Sequence, residues 1–550
     1  MKNYNYIKAA GIAFCVTGMF ACTKLDQKLN SSFVKDQFAA ALGPGGTQSL
    51  LNKAYVDVGS PYTNYGSIFA LEEVTTDECL VPTRAGDWDD NGKWRALHQH
   101  TFTADAVDIV LNEFTNLNTL SFDATNVLSF NPTAGQAAEA RFLRALSLYQ
   151  QLDLFGQFPI RNAGDDLLTA AKVYTGEPAV QFIISELTTI MPTLPAVNKV
   201  SVASQDAAKM LLMKLYLNHG AFVNRAAPTF SDADMQQVIA LGNSIMSSGR
   251  YKYMANFFDN FNPMNSGATE SVFAYPNTSG VTINNSNPSN RWYPTLHYNS
   301  FGSFAPAAGW NGFSTVADFY NSFSLTGVAT HTNADSVLDP RIGERFYKGS
   351  TDVSGMRPGL LIGQQYDANG VALKDRKGNP LAFDPNINKD LKETGSNLEV
   401  TGIRVLKYPP DFSGSGHSNY ANSSVGGNWI IIFRYPDVVL MVAEAKMRSA
   451  AADNAGALVL VNSLRAARGA TPMMSMPLAN AANVYDPNTL LAERGRELYW
   501  ESVRRTDLIR FGMFMKPWDY KAASDAHYML FPLPSSAVSA NPNLKQNPGF

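Results

Sequence analysis

The chain has 550 residues, a net charge of −3, 45% hydrophobic residues and 17% charged residues. Such a balance excludes a nucleic-acid partner held through a basic face. It also excludes a chain too polar to bury a core, and the length allows two to four domain-sized units. With 3 cysteines the sequence has no disulfide framework.

Residues 1–21 read as an export signal. Lys2 and Lys8 give a positive start, an apolar stretch runs from Ala9 to Ala21, and Cys22 follows a small residue. The stretch is too short to span a bilayer permanently. A cysteine directly after the cleavage point predicts lipid attachment at Cys22, with two acyl chains anchoring the mature protein at about 0.8 kcal/mol per buried CH₂. Met19 and Phe20 depart from the usual residues of lipoprotein signals, so an ordinary secreted protein is the alternative.

Apolar spacing then predicts a helix over Thr47–Val58, followed by helices at Val107–Leu120, Ala134–Leu154, Val173–Met191, Ser204–Phe222 and Asp232–Ser248. Small residues such as Ala140, Ala145, Ala207 and Ala208 allow close helix contact. Paired helices of this kind resemble tetratricopeptide units, although no clean repeat of that period is present. From Tyr251 to Trp429, Gly, Pro, Asn and Ser dominate, and short apolar segments alternate with turn residues. Within this stretch Arg404–Tyr408 reads as a strand. The apolar run Trp429–Ala445 is broken by Arg434, Asp437 and Glu444, which indicates a buried helix and not a membrane span. Helices return at Pro436–Ser449, Ala455–Ala467 and Asn488–Phe511, the last with a charged face carrying Glu501 and Arg505 four residues apart. The proline-containing tail Met529–Phe550 reads as extended along the surface.

The expected fold is therefore mainly α: tetratricopeptide-like helix pairs form a scaffold, and a long loop-rich insert carries short strands. Residues 22–250, 251–429 and 430–550 are its N-terminal helical region, insert and C-terminal helical region, together one compact unit. Loops mounted on a rigid frame are the expected place for binding.

Catalytic signatures are missing. The sequence has no G-x-S-x-G elbow, no H-E-x-x-H and no phosphate loop. His98 and His100 are too few for a metal site, and neither a cofactor nor a metal is indicated. Glu72 with Glu73, or Asp89 with Asp90, could pair as in a glycosidase only at a carboxyl separation that sequence does not reveal. Asp87–Gly92 fits the first half of a calcium loop, but His98 stands where a bidentate Glu is required. The same stretch suits a sugar better. Trp88 and Trp94 flank a polar turn with Asp87, Asp89, Asp90 and Arg95 alongside. A ring face can cover the apolar C–H face of a sugar while charged neighbours bond its hydroxyls. Either Trp could equally be a loop anchor in the core.

Several stretches together carry a family resemblance. Thr76-Asp77-Glu78, Val81–Trp88 and Trp94–Thr101 are followed by Glu139–Ala145, Leu154-Phe155-Gly156 and Ala207-Ala208-Lys209 with Leu215–Asn218. Then come Gly309–Phe313, Asp318-Phe319-Tyr320, Asp339-Pro340-Arg341, Phe433–Ala445, Val461–Arg465 and Glu493–Leu498. In this order they resemble the SusD/RagB family of outer-membrane nutrient-binding lipoproteins. The resemblance implies a surface-exposed outer-membrane protein that binds oligosaccharides or other nutrients without cleaving them. It also implies a partner, a SusC-like TonB-dependent transporter that the protein caps as a lid. Glu444, Arg494 and Glu497 are implied to be scaffold ion pairs. Ligand contacts vary between members. Asp77, Asp87, Trp88, Trp94, Trp310 and Arg404 are the candidate binding residues here, because they lie in loop-forming stretches with suitable chemistry; Gly309 and Gly312 flank Trp310 and suit an exposed aromatic. An exported glycoside hydrolase, or a structural surface lipoprotein without ligand, are the alternatives. Neither the glycan nor its distinction from a peptide is legible.

Overall fold

The computed structural model describes residues 45–104, 108–166, 168–263, 265–277, 291, 294–300, 309–329, 338–343, 357–367, 370–409 and 428–550. The expected signal and Cys22 lie outside them. The chain divides into units Met1–Gly46 and Thr47–Phe550, and the second holds the folded scaffold.

Helices α1 (Gly46–Asp57) and α2 (Gly59–Thr63) lead into α3 (Lys93–Gln99), α4 (Asp108–Leu128) and α5 (Ala134–Phe155). A short β1 (Thr83–Arg84) precedes α3. Helix α5 shows why these segments form where they do. Thr133 and Gln136 close a capping box at its start, and Gly156 ends it in the left-handed region at φ 69°. Its apolar positions, Phe142, Leu146 and Tyr149 among them, are buried at three- and four-residue steps, each worth about 1.5–3 kcal/mol when fully buried. Strands β2 (Gln157–Ile160) and β3 (Lys172–Thr175) pair antiparallel, and α6 (Gly176–Ile190), α7 (Gln205–Val223) and α8 (Asp232–Met246) follow. The helix expected from Val173 thus begins three residues later. Val173 and Thr175 suit a strand, and Tyr174 lies opposite Phe158. Successive helices pack on one another as pairs, α4 with α5 and α7 with α8.

The insert is closed at its base by β4 (Ser271–Tyr275). A short α9 (Ala317–Asn321) follows, and then β5 (Gly359–Leu361), β6 (Gly363–Gln364), β7 (Ala382–Phe383), β8 (Lys392–Glu393) and β9 (Arg404–Leu406). Strand β10 (Ile430–Arg434) returns antiparallel to β4. Its Ile430-Ile431-Ile432 run is β-branched, so the expected helix from Trp429 starts only at α10 (Tyr435–Arg448), with Pro436 in its first turn. Helices α11 (Asn454–Ala467), α12 (Leu490–Leu498), α13 (Arg504–Arg510) and a short α14 (Ser535–Ala540) complete the unit.

Three further expectations are corrected. Asn488–Phe511 is not one helix: Trp500 and Ser502 adopt φ 58° and 60° and break it, and the Trp500 indole donates to the Glu78 carbonyl at 3.2 Å. Glu501 and Arg505 do not pair either, for Glu501 turns to Lys407 and Arg434. The tail is superficial only in part. Phe531 and Leu533 are fully buried, and the Phe531 amide donates to the Leu154 carbonyl at 2.8 Å.

The C-terminal helices enclose a charge cluster. Glu497 accepts from Arg341 at 2.9 Å and from Arg468 at 2.7 Å, and it also meets Arg434. Glu493 takes Arg341, Arg465 and Arg496, while Glu270 joins Arg434 to Arg468. All are essentially buried. Arg494 pairs with Asp437 and Asp507, and Glu444 with Arg448 and Arg510. Burial alone would raise the Glu493 and Glu444 carboxyls, but their arginines outweigh it and hold both down to about 2.

Candidate functional site

Three candidate residues meet on one face. Asp87, Trp88 and Trp310 line an open cleft of about 430 Å³ together with Tyr65, Asp90 and Tyr298. The loop between β1 and α3 builds one wall. Arg84 and Asp87 exchange backbone hydrogen bonds of 2.9 and 3.0 Å across a tight turn. Ala85, Trp88, Asp90 and Asn91 all have positive φ. For Asn and Asp this is cheap; for Trp88 at φ 60° it is strained backbone held by its surroundings.

What holds Trp88 is a partner more than 200 residues away. Its Nε1 donates to the Trp310 carbonyl at 2.7 Å, and its ring lies against Gly312, where a Cβ would stand 2.3 Å from the indole. Glycine is therefore required at 312. Tyr65 sits edge-on to Trp88 and Trp310, with ring centroids 5.9 and 5.6 Å apart. Below them Phe313 and Trp94 carry the ring cluster inward, and Phe69 and Trp500 join it to the core.

The opposite wall is Tyr298. Its hydroxyl donates to Asp87 Oδ2, and the Arg376 guanidinium covers its ring at 3.8 Å. Arg376 in turn bonds Glu399 at 2.8 Å, and Glu399 meets His297 Nε2 at 3.0 Å. Burial lowers the His297 imidazole to about 4, so it stays neutral at pH 7. Burial, reinforced by Asp87, raises the Tyr298 hydroxyl, which stays protonated and can donate.

The other candidates lie elsewhere, which corrects their expected role. Asp77 is fully buried and gripped at both oxygens by Arg504, at 2.7 and 2.6 Å. Trp94 is 2% exposed and donates to Asp90 Oδ2 at 2.7 Å, so it supports the cleft from beneath. Arg404 is fully buried next to the loop that carries Trp310. It bonds Asn311 Oδ1 at 2.8 Å and the Thr401 carbonyl at 2.6 Å, and so fixes the Trp310 loop. Tyr65 and Tyr298 were missed. The signal existed, because Asn64-Tyr65-Gly66 and Tyr298-Asn299-Ser300 are aromatics in polar turn surroundings, like Trp310.

Alternative chemistries find little support. Glu72 and Glu73 are buried in the core. His98 and His100 are buried against backbone carbonyls. In the calcium-like stretch, Asp89 pairs with Arg95 at 2.9 Å, and among the described residues no cluster of three or more His, Cys, Asp or Glu is arranged to hold a metal. A second cavity, between α5, α7 and α13, has about 40 Å³, room for a water but not a sugar. Among the described residues no helix is long and apolar enough to cross a membrane.

Comparison with known proteins gives a consistent set. A family model described as "SusD family" matches residues 269–550. The starch-binding protein SusD of Bacteroides thetaiotaomicron is 24% identical over 522 residues, covering 88% of this chain and 86% of that protein. Among solved structures, a SusD-like protein from Bacteroides fragilis matches with a TM-score of 0.67 at 16% identity, covering 94% of this chain and 99% of that one. Surface glycan-binding protein A from Bacteroides uniformis matches with a TM-score of 0.65 at 16% identity, covering 91% and 98%. At these identities the structural likeness speaks for the fold.

Proposed function

This chain belongs to the SusD family, and on that premise we propose that it is a cell-surface glycan-binding protein that captures oligosaccharide without cleaving it. One observation carries the reading: the cleft leaves aromatic ring surface uncovered beside an open carboxylate. Trp310 is 36% exposed at its rim, Trp88 and Tyr65 are half-buried, and Asp87 stands open beside them. Ring faces match the C–H faces of pyranose rings, and a carboxylate oxygen accepts from hydroxyls. Lipid at Cys22 would hold the protein at the outer membrane.

Delivery to a SusC-like TonB-dependent transporter belongs to the same proposal. Apolar surface suited to a partner is present on the helical scaffold: Leu111 and Phe122 on α4 are 45% and 51% exposed, and Met474 beyond α11 is 92% exposed. Gentle detergent extraction with the transporter co-expressed should recover the two in near-equal amounts. Recovery of this protein alone would refute the partnership. A glycan panel tests the binding reading: at least one oligosaccharide should bind and remain intact by mass spectrometry. Product that accumulates with time and disappears with one carboxylate substitution would favour a hydrolase instead.

A further inference from the structure

The cleft carries charge of one sign. Among the described residues its lining includes Asp87 and Asp90 and no lysine, arginine or histidine. Asp87 accepts from the Tyr298 hydroxyl and Asp90 from the Trp94 indole. Neither donor is a cation; among the described residues Asp87 has no salt bridge, and Asp90 has only Lys93, at 4.0 Å and shared with Asp108. The cations beside the cleft have their closest contacts with other carboxylates, although Arg376, over the Tyr298 ring, also feels the Asp87 charge. Arg95 bonds Asp89 at 2.9 Å, and Arg376 bonds Glu399 at 2.8 Å. Lys93 bonds both oxygens of Asp108 at 3.2 Å and stands 4.0 Å from Asp90. Lys374 and Lys377, on the turn that carries Arg376, are exposed and do not line the cleft. The aromatic faces act in the same direction, because a ring quadrupole attracts cations and repels anions.

We propose that the cleft discriminates saccharides by charge. Neutral or amine-bearing sugars are admitted, and sugars carrying uronate or sulfate groups are turned away by Asp87 and Asp90. The inference rests on the glycan-binding reading of this cleft. Its cause is Coulombic: a unit charge about 6 Å away in water changes a local ion concentration roughly threefold, and the effect fades when the Debye length shrinks to about 3 Å at high salt.

Collisional quenching of Trp310 fluorescence tests this without knowledge of the sugar. The Trp310 contribution is the difference between the wild-type protein and Trp310→Phe. Its quenching by caesium relative to iodide, normalised to free N-acetyltryptophanamide, should exceed one at low salt, by up to roughly tenfold for each carboxylate felt, because the cation is enriched and the anion depleted about threefold each. The ratio should approach one in high salt and in the double variant Asp87→Asn with Asp90→Asn, whose amide oxygens still accept from Tyr298 and Trp94. A ratio at or below one in the wild type, or one unchanged in the double variant, overturns the proposal. In parallel, a panel of neutral, amine-bearing, uronate and sulfated oligosaccharides should give hits in the first two classes only. A uronate or sulfated sugar bound as tightly as its neutral counterpart, with binding lost in Trp310→Ala, also overturns it. If no sugar of any class binds, the glycan-binding reading fails while the quenching ratio still decides the charge inference.

Discussion

Glu497 and Trp310 show two opposite ways of using a residue against its usual preference. Glu497 is a carboxylate with no solvent exposure, surrounded by Arg341, Arg434 and Arg468; Trp310 is a large aromatic 36% exposed at the rim of a cleft. The buried charges are satisfied by one another, and that arrangement links α10, α11 and α12 to the base of the insert. The rings at the cleft pack on one another edge-on yet keep part of their surface uncovered. The difference teaches where to look in such a scaffold: buried charge holds the frame, and uncovered aromatic surface is where a ligand is to be sought.

The sharpest way to break the comparison is to remove Glu497. Glu497→Ala leaves three buried guanidiniums short of a partner, and loss of one member of a buried ion pair costs about 3–5 kcal/mol. Chemical denaturation should show at least that loss. A change within about 1 kcal/mol, the scale of an exposed pair, would mean the cluster is not the frame.

Trp310→Ala should do the reverse. Affinity for the best glycan should fall by about 2 kcal/mol, roughly thirtyfold, if Trp310 is a true hot spot. The unfolding free energy should move by no more than about 0.5 kcal/mol. Trp88→Ala sits between the two, because Trp88 both faces the cleft and packs on Phe313 and Trp94; it should lower both quantities. If Trp310→Ala destabilises the fold and leaves binding intact, the ring is an anchor and the site lies elsewhere.

Glu113 sharpens the charge side of the comparison. It is fully buried on α4 without an arginine, and burial pushes its carboxyl up to about 8. A raised folded value means that its contribution is fully present below the ordinary glutamate value of 4.5 and is lost as pH rises toward 8. Glu113→Gln removes that loss. The variant should gain on the wild type between pH 5 and 8 by at least about 1 kcal/mol, since a tenfold change in proton affinity is worth about 1.4 kcal/mol. A gap that narrows with rising pH would contradict the assignment.

The smallest effect is expected at His219, which bridges Glu177 at 2.6 Å and Asp234 at 2.9 Å across α6, α7 and α8. Burial lowers its pKa, but the two carboxylates outweigh burial and raise it above 6.5. The clamp is therefore complete below pH 6.5 and is lost as pH rises through the folded value. Partly exposed, with its partner Glu177 53% exposed, and screened by salt, it should contribute within about 1 kcal/mol. His219→Asn should abolish a small decline in stability between pH 6 and 9 while leaving glycan binding unchanged.

The sequence alone was enough for the helices of the frame, because apolar spacing, the Thr133 cap and the Gly156 stop are local signals that act wherever the segment sits. It also identified Asp87, Trp88 and Trp310 as residues of suitable chemistry, and the order of its landmark stretches pointed to the family. Tertiary structure alone separated Trp88 from Trp94, only six residues apart, and Asp87 from Asp77. Trp88 is half-buried because its indole finds a carbonyl at residue 310, and Asp77 is buried because Arg504 reaches it from the other end of the chain. It also broke Asn488–Phe511 into α12 and α13 and drew Tyr65 and Tyr298 to the cleft. Periodicity reports which face of a segment is apolar. Exposure is fixed by partners hundreds of residues away, and a linear pattern carries no record of them.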